Sequence, residues 1–265
     1  MLYVGIALLV VCACLLLWRR SRQARLLAIL DTETSTVKEI TELGAYVRQG
    51  LDGHTGFSRA VELKGIVRCD NPITSEVAKQ PCVYYSMTVT REYEETYTET
   101  DSQNNQHQRT KHGSDTVASN SRRVPFWVED ETGRLPVDPQ GAEIDSVQVE
   151  DRYEPAGQLQ LGLTLGGINL SFGSAGVGRN TLGYRYRESL LPPDRQVFVL
   201  GEASDSSGTL TVQKPQKKGG KFIISLKSEE QLVAGSKQTI TWLLYGGVAC
   251  GALGVVTIVA GLVMR

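Results

Sequence analysis

Side chains that could bind a metal ion or perform catalysis are few and scattered in this sequence. His107 and His112 are close together, but no cysteine lies near them, and a zinc site takes about four ligands, most of them Cys or His. Residues 173–181 resemble a phosphate-binding loop, yet Arg179 and Asn180 stand where such a loop requires Lys followed by Ser or Thr. We therefore predict no catalytic centre, no metal site and no cofactor.

Cysteine is the remaining candidate for covalent chemistry. Cys12, Cys14 and Cys250 lie inside long apolar segments, which leaves Cys69 and Cys82 in the charged part of the chain. These two are predicted to lie at the end and the start of neighbouring strands. In an oxidising compartment a disulfide between them would stabilise the fold by about 3 kcal/mol. In a reducing cytoplasm they remain two buried thiols, and the sequence leaves both alternatives open.

The charged residues are confined to the middle of the chain. The sequence contains 28 Lys and Arg against 29 Asp and Glu, for a net charge of −1, and residues 1–18 and 238–264 contain none of these four types. A nucleic-acid-binding protein would need a basic face, so we predict no nucleic-acid partner. The charge-free ends predict an integral membrane protein with two transmembrane helices, at 1–18 and 240–264.

The first apolar segment has a competing interpretation as a cleavable signal peptide. A signal peptide begins with basic residues and ends in small ones. Here no basic residue precedes the run, which ends in Leu-Leu-Leu-Trp-Arg-Arg. As a helix, residues 2–18 extend over about 26 Å, close to the thickness of a bilayer core. These features favour an uncleaved membrane anchor.

Basic residues beside the first helix indicate the orientation. Four arginines follow that helix directly, at positions 19, 20, 22 and 25, whereas Lys237 and Arg265 flank the second helix about equally. The positive-inside rule then places both termini outside and the middle domain in the cytoplasm.

Glycines line one face of the second membrane helix. They are Gly247, Gly251, Gly254 and Gly261. Small residues at this spacing allow two membrane helices to approach closely. We predict a helix-packing face whose partner is either the first helix or a second copy of the chain.

The middle of the chain is predicted to be mainly β. After a basic flank and helical stalk at 19–57, apolar residues alternate with polar ones from position 60 onward, as in strands with one buried face. About ten short strands within 58–232 indicate an antiparallel sandwich or an open, barrel-like sheet. Residues 228–231 fit a capping box that begins a helix leading into the second membrane segment.

Residues 94–123 differ from the rest of the β region. They contain almost no aliphatic side chains and therefore bury little apolar surface on folding. We interpret them as a long mobile polar loop or as two frayed strand extensions, and as a candidate surface for a partner.

Short motifs resemble a known domain when they are taken in order. The motifs are VELKGIVRC at 61–69, NPI at 71–73 and PCVYY at 81–85; VPF at 124–126 and VEDETG at 128–133; and YRE at 186–188, LPP at 191–193 and VFVLGEA at 197–203. Their order and spacing resemble the GIDE domain, also called the beside-a-membrane (BAM) domain. The resemblance covers about residues 58–232 and the two flanking membrane helices.

The resemblance has implications for activity and topology. The eukaryotic members are a mitochondrial ubiquitin ligase and its plant relatives, and their activity belongs to a RING domain beyond the second helix. The chain has five Cys and three His, and three of the cysteines lie in the predicted membrane segments. A RING needs about eight zinc ligands, which is more than the remaining residues can supply. Because the chain ends at Arg265, the resemblance implies the form without a RING that is found in bacteria. It also implies that the middle domain is periplasmic, whereas the arginines beside the first helix place this domain in the cytoplasm.

These observations together predict a function. We expect a two-pass protein of the bacterial inner membrane or plasma membrane that presents a membrane-proximal β-rich binding or scaffolding domain. Its expected partners are the lipid bilayer and either another protein or a second copy of the chain. The alternatives are a RING-type ubiquitin-protein transferase and a sensor of an envelope ligand, which would require a periplasmic domain.

Overall fold

In the described part of the chain, two helices precede the strands and one helix follows them. The computed structural model describes residues 2–50, 56–101, 103–156, 164–165, 168–169, 179–217 and 219–263. In these ranges the helices are α1 (Leu2–Leu30), α2 (Val37–Gly50) and α3 (Glu229–Val263). Two stretches, Tyr3–Leu30 and Glu229–Gly261, are long and apolar enough to cross a membrane. Both extend past the predicted apolar segments, so the arginine flank is part of the first membrane helix.

Helix α2 is separate from α1 because residues 31–36 break the helical pattern. A capping box begins α2: the Thr36 backbone N–H donates to Glu39 Oε2 at 2.8 Å, and the Glu39 N–H donates to Thr36 Oγ1 at 3.3 Å. Asp130 accepts a further hydrogen bond from the Val37 N–H at 2.8 Å. The helical stalk predicted within residues 19–57 therefore consists of the end of α1 and the separate helix α2, and α2 is fixed to the β domain.

Fifteen strands are described between α2 and α3. They are β1 (Ser58–Arg68), β2 (Ile73–Thr74), β3 (Pro81–Cys82), β4 (Tyr84–Thr100), β5 (Gln106–Arg123), β6 (Phe126–Asp130), β7 (Gly133–Val137), β8 (Glu143–Asp145), β9 (Val147–Pro155), β10 (Thr164–Leu165), β11 (Ile168–Asn169), β12 (Arg179–Leu191), β13 (Gln196–Ser204), β14 (Thr211–Gln213) and β15 (Ile223–Ser225).

Five strands close into a barrel. The order is β1-β6-β7-β14-β13, and β13 pairs back with β1 from Ser58↔Ser204 to Ile66↔Gln196. Strands β15 and β8 extend the sheet outward from β13. The β7–β14 and β8–β15 pairs are parallel, and the other pairs in this sheet are antiparallel. The mainly β prediction is confirmed, with a closed barrel where the sequence indicated a sandwich or an open one.

The barrel core follows the alternation seen in the sequence. Val61, Leu63 and Val67 of β1 are 0%, 1% and 0% exposed, and each such burial stabilises the fold by about 2 kcal/mol. Gly65 lets β6 approach β1 closely, because a Cβ there would lie 2.7 Å from Val128 Cγ1. Strand β1 thus passes from β13 to β6 and closes the barrel.

A second sheet, with the order β5-β4-β12-β9, lies beside the barrel. Its β4–β5 hairpin pairs from Tyr84↔Arg123 to Thr100↔Gln106, with one bulge between Val89 and Thr90. Within the range predicted as a mobile loop, 94–123, residues 94–100 and 106–123 are strand. The second interpretation, strand extensions, describes it better.

Cross-strand contacts explain why this polar hairpin is regular. Arg91 makes two hydrogen bonds to the Asp115 carboxylate, at 3.0 and 2.6 Å, and such bidentate pairs are strong. Tyr93 occupies the space left by Gly113, where a Cβ would lie 2.7 Å from the tyrosine hydroxyl oxygen. Cross-strand charge and ring contacts thus replace aliphatic burial in the outer hairpin.

Glu188 in β12 joins the second sheet to the loop between β2 and β3. Its carboxylate is fully buried and accepts three backbone N–H bonds, from Glu76 at 2.8 Å, Val77 at 3.0 Å and Ala78 at 2.7 Å. Charge-assisted bonds of this kind are about twice as strong as neutral ones. One side chain therefore anchors three consecutive residues of the loop, Glu76 to Ala78.

We predict that Glu188→Ala lowers the free energy of unfolding by about 3 kcal/mol, because one buried and two partly buried backbone donors lose their acceptor. Chemical denaturation of the purified chain measures this. The matched control is Glu99→Ala on the same sheet, since Glu99 pairs with Arg109 at the surface. That change is expected to cost less than about 1 kcal/mol. Equal losses in the two variants would contradict a structural role for Glu188.

Candidate functional site at the membrane junction

Both candidate membrane helices are attached to the barrel sheet at one place. An apolar cluster joins α1, β13, β15 and α3 there, and we call it the membrane junction; it contains Ile29, Phe198, Leu200, Ile223 and Leu232. All five side chains are buried. Phe198 and Leu200 point outward from the barrel because they alternate with Val197 and Val199, which face its core.

Ion pairs reinforce the junction on both helices. On α1, Arg25 Nη1 lies 2.8 Å from Glu143 Oε1 on β8. On α3, Glu229 Oε2 lies 2.7 Å from Lys64 Nζ on β1. The predicted capping box is confirmed at the start of α3, where the Gln231 N–H donates to Ser228 Oγ at 3.4 Å and the Ser228 N–H donates to Gln231 Oε1 at 3.3 Å.

Glu62 is an unusual buried acid next to this site. It is 1% exposed, because the segment between α1 and α2 covers it: Thr34 Oγ1 donates to Glu62 Oε1 at 2.5 Å, and the Ser35 N–H donates to the Glu62 carbonyl at 2.9 Å. Glu62 Oε2 is buried without a hydrogen-bond donor among the described residues. Burial raises the pKa of Glu62, against the opposing effect of the Thr34 hydrogen bond.

Lys64 only partly compensates for this buried charge. Its Nζ lies 3.5 Å from Glu62 Oε1 but 2.7 Å from Glu229 Oε2. The hydrogen bond to Glu229 raises the pKa of Lys64, so the ammonium stays charged. Glu229 also raises the pKa of Glu62 by charge repulsion. The carboxylates of Glu62 and Glu229 therefore share the Lys64 ammonium, which lies closer to the more exposed carboxylate, that of Glu229.

Two cavities lie on either side of Lys64. One, of about 410 Å³, is lined by Lys64, Phe198 and the first residues of α3. The other, of about 560 Å³, lies between Lys64, the segment before α2 and the β6–β7 turn. Both are open grooves at the surface of the barrel, so the arrangement offers binding surfaces close to the candidate membrane helices.

The glycine face of α3 lies against α1. A Cβ on Gly247 would lie 3.5 Å from Leu16 Cδ2, one on Gly251 would lie 3.3 Å from Cys12 Sγ, and one on Gly254 would lie 3.2 Å from the Gly5 carbonyl oxygen. Of the two partners left open by the sequence, the described helices show the first helix in contact with these three glycines. Gly261 lies in α3 as well, and no contact of it is described.

The two cysteines of the β domain are free thiols in different surroundings. Cys82 is buried in the apolar cluster of the second sheet, whereas Cys69 is partly buried against the barrel core. Cys82 Sγ donates to the Ile73 carbonyl at 3.5 Å, and Cys69 Sγ to that of Pro125 at 3.7 Å. Burial, assisted by the Glu188 charge, raises the pKa of Cys82 to about 11. A disulfide between them stays a prediction.

The other residues considered in the sequence as metal ligands do not come together in one site. His107 and His112 pair with Glu99 and Glu94 at different points of the hairpin, and His107 Nε2 lies 3.2 Å from Asp101 Oδ2. Within the described ranges, no group of three or more His, Cys, Asp or Glu side chains could hold a metal ion. Residues 173–178 of the loop-like motif lie outside the described residues.

Sequence reasoning missed the buried acids. Glu62 and Glu188 each occur inside a resemblance motif, VELKGIVRC and YRE. Alternation places Glu62 on the outer face of the barrel, so only the covering segment makes it buried. Three-dimensional contacts between distant segments create both sites, and only the presence of acids in otherwise apolar strands signals them in the sequence.

The fold and site define a closed β-barrel domain flanked by two helices that are long and apolar enough to cross a membrane. The sequence profile of the GIDE family, described as E3 ubiquitin ligase, matches residues 94–260. The chain therefore belongs to the GIDE family, as its motifs indicated.

One curated relative is a plant protein. The E3 ubiquitin-protein ligase SPL1 of Arabidopsis thaliana is 28% identical over 149 residues, which are 52% of this chain and 39% of that protein. The chain thus spans about two fifths of the length of this relative. No solved structure matches the chain significantly.

We predict that the stability of the wild type relative to Glu62→Gln increases as the pH falls from about 8 to about 5. The raised pKa of Glu62 means that the folded state binds a proton more tightly than the unfolded state. The penalty of the buried charge is then lost as the pH falls through the folded-state pKa. Thermal unfolding at both pH values measures the difference, with the exposed Glu131→Gln as control. A difference that is independent of pH would show that Glu62 is not a strained buried charge.

We predict that Gly251→Cys forms a disulfide with Cys12 on mild oxidation in membranes. The new Cβ lies 3.3 Å from Cys12 Sγ, within reach of an S–S bond of about 2.05 Å. The other native cysteines are replaced by alanine, and non-reducing peptide mapping detects the product. Gly246→Cys is the control, because a Cβ there would meet only Leu15 Cδ1 at 3.9 Å. Cross-links between two chains would contradict the α1–α3 packing.

Proposed function

We propose that the chain is a two-pass membrane protein whose barrel and second sheet form a protein-docking domain held against the bilayer. The observation that carries this proposal is the membrane junction. Each membrane helix contacts the barrel through buried apolar side chains and through an ion pair, Arg25–Glu143 for α1 and Glu229–Lys64 for α3. A domain fixed at both ends presents its other faces at a constant distance from the membrane.

The outer half of the second sheet has the composition of a docking surface. Tyr97 and Tyr153 are 44% and 38% exposed, on opposite faces of the sheet. Guanidinium groups lie over neighbouring rings, Arg179 at 4.7 Å from the Tyr93 ring centre and Arg185 at 5.7 Å from that of Tyr153. Tyr and Arg are enriched in protein interfaces because they offer large contact areas that carry polar groups. These contacts also hold the tyrosine rings in place before a partner binds.

Site-specific photocross-linking tests this proposal in cells. We expect a cross-linking residue at position 97, or at position 153 on the opposite face of the sheet, to give a discrete adduct. The matched control is position 46 on α2, where the native tyrosine is 76% exposed and lies outside the second sheet. The adduct mass distinguishes a second copy of the chain from another protein. No adduct, or identical adducts at all three positions, would contradict docking on the second sheet.

The arginine flank of α1 supports a cytoplasmic position for this domain. A membrane-impermeant thiol reagent tests it, and the structure identifies the informative residue. Cys69 is partly exposed, whereas Cys82 is buried and its raised pKa keeps it protonated and unreactive. We expect Cys69 to be protected in intact cells and labelled after lysis, and Cys69→Ala to abolish this labelling. Labelling in intact cells would overturn the cytoplasmic orientation and favour the envelope-sensor alternative.

The family relationship favours ubiquitin transfer as a second candidate function. The matching profile and the plant relative are both described as E3 ubiquitin ligases. The docking proposal assigns this chain the role of presenting a partner at the membrane, without a zinc-dependent step of its own. Ubiquitin-chain formation by the purified chain with activating and conjugating enzymes, together with bound zinc, would favour the ligase instead.

A further inference from the structure

A cavity of about 260 Å³ lies between α1 and α3 on the barrel side of the membrane helices. Its cationic lining comes from two parts of the chain: Arg22 and Arg25 on α1 and Lys227 on the segment before α3. Gly235, Ser236 and Thr239 of α3 form the opposite wall. Small residues on that wall leave room for a ligand between the two helices.

The height of this cavity matches the lipid headgroups. Trp18 ends the apolar part of α1, and Arg22 follows about 6 Å further along the helix. On α3, Thr239 directly precedes the apolar run that begins at Ile240. The headgroup layer occupies about 6 Å on each side of the bilayer core. The cavity therefore opens where lipid phosphates lie.

Its cations are held in place but are not fully neutralised. Asp145 is the acid that lines the cavity; its Oδ2 lies 3.6 Å from Arg25 Nη2 and 3.9 Å from Lys227 Nζ. Arg25 is also paired with Glu143 at 2.8 Å. Arg22 stacks over Trp18, with 5.6 Å between the guanidinium carbon and the ring centre, and no ion pair of it occurs among the described residues. The lining thus keeps a net positive charge.

Arg25, which lines the cavity, has buried donors that lack acceptors. Arg25 Nε and Nη2 are both buried without a hydrogen-bond acceptor in the described part of the chain. The 3.6 Å contact with Asp145 is beyond hydrogen-bonding distance. A buried donor without an acceptor costs about 1–3 kcal/mol, and a phosphate oxygen would remove this cost.

We propose that this cavity binds the phosphate group of an anionic lipid, with Arg22, Arg25 and Lys227 as its charge partners. The inference rests on the proposed two-pass insertion, because only an inserted chain brings the cavity to the headgroup layer. A bound lipid would bridge α1, α3 and the barrel, and would therefore stabilise the membrane junction. Guanidinium groups suit this role because their planar N–H donors match phosphate oxygens.

Thermal unfolding of the full chain in neutral detergent micelles tests the proposal. We expect phosphatidylglycerol to raise Tm and phosphatidylcholine at equal concentration to leave it unchanged. In the double variant Arg22→Gln/Lys227→Gln, the concentration of phosphatidylglycerol that gives half the shift should rise about tenfold or more. Arg25 is kept, because its pair with Glu143 supports the fold.

The matched control is Arg20→Gln/Lys217→Gln, which removes the same charge at exposed positions that do not line the cavity. Equal weakening in the control would overturn the cavity in favour of general surface charge. An equal shift with phosphatidylcholine would overturn the selectivity for anionic lipid. A shift of the same size with soluble glycerol phosphate would identify a free-phosphate site and overturn the lipid assignment. A chain that fails to enter micelles would instead contradict the proposed two-pass insertion.

Discussion

The pairing of β1 with β13 is the interaction on which the rest of the structure depends. It closes the barrel along nine residue pairs, from Ser58↔Ser204 to Ile66↔Gln196. The outward side chains of the same two strands hold the membrane helices. Phe198 and Leu200 of β13 pack against α1 and α3, and Lys64 of β1 holds the first residue of α3. One ladder of hydrogen bonds therefore forms the core on one face and the membrane attachment on the other.

Because these strands have two different faces, their inner face could be predicted from the sequence better than their outer face. The alternation of Val61 with Glu62 and of Leu63 with Lys64 predicts a strand correctly, because it reports the inner face. It also suggests a solvated outer face, and for Glu62 that is misleading. Glu62 is buried by a segment that is distant in sequence, the connection between α1 and α2. No local pattern reports such a cover.

The outer hairpin shows the opposite error. Residues 94–123 contain few aliphatic side chains, whose burial normally offsets the entropy cost of ordering a chain. A mobile loop or frayed strand extensions were therefore predicted there. Ordering here comes from pairs that cross between strands, such as Arg91–Asp115 and Arg109–Glu99. Spacing along one strand does not reveal these pairs, because they appear only once the register of the hairpin is known.

The membrane helices were predicted from composition, and the capping box at Ser228 marked the start of α3 correctly. The continuity of α1 from Leu2 to Leu30 was not predicted, and it has a mechanical consequence. Ile29, at the far end of this helix, is fully buried in the membrane junction. An unbroken helix transmits a change of tilt along its length, and membrane helices tilt to match the thickness of the bilayer. In the proposed two-pass insertion, a change in bilayer thickness would therefore tilt α1 and reorient the barrel that packs against Ile29.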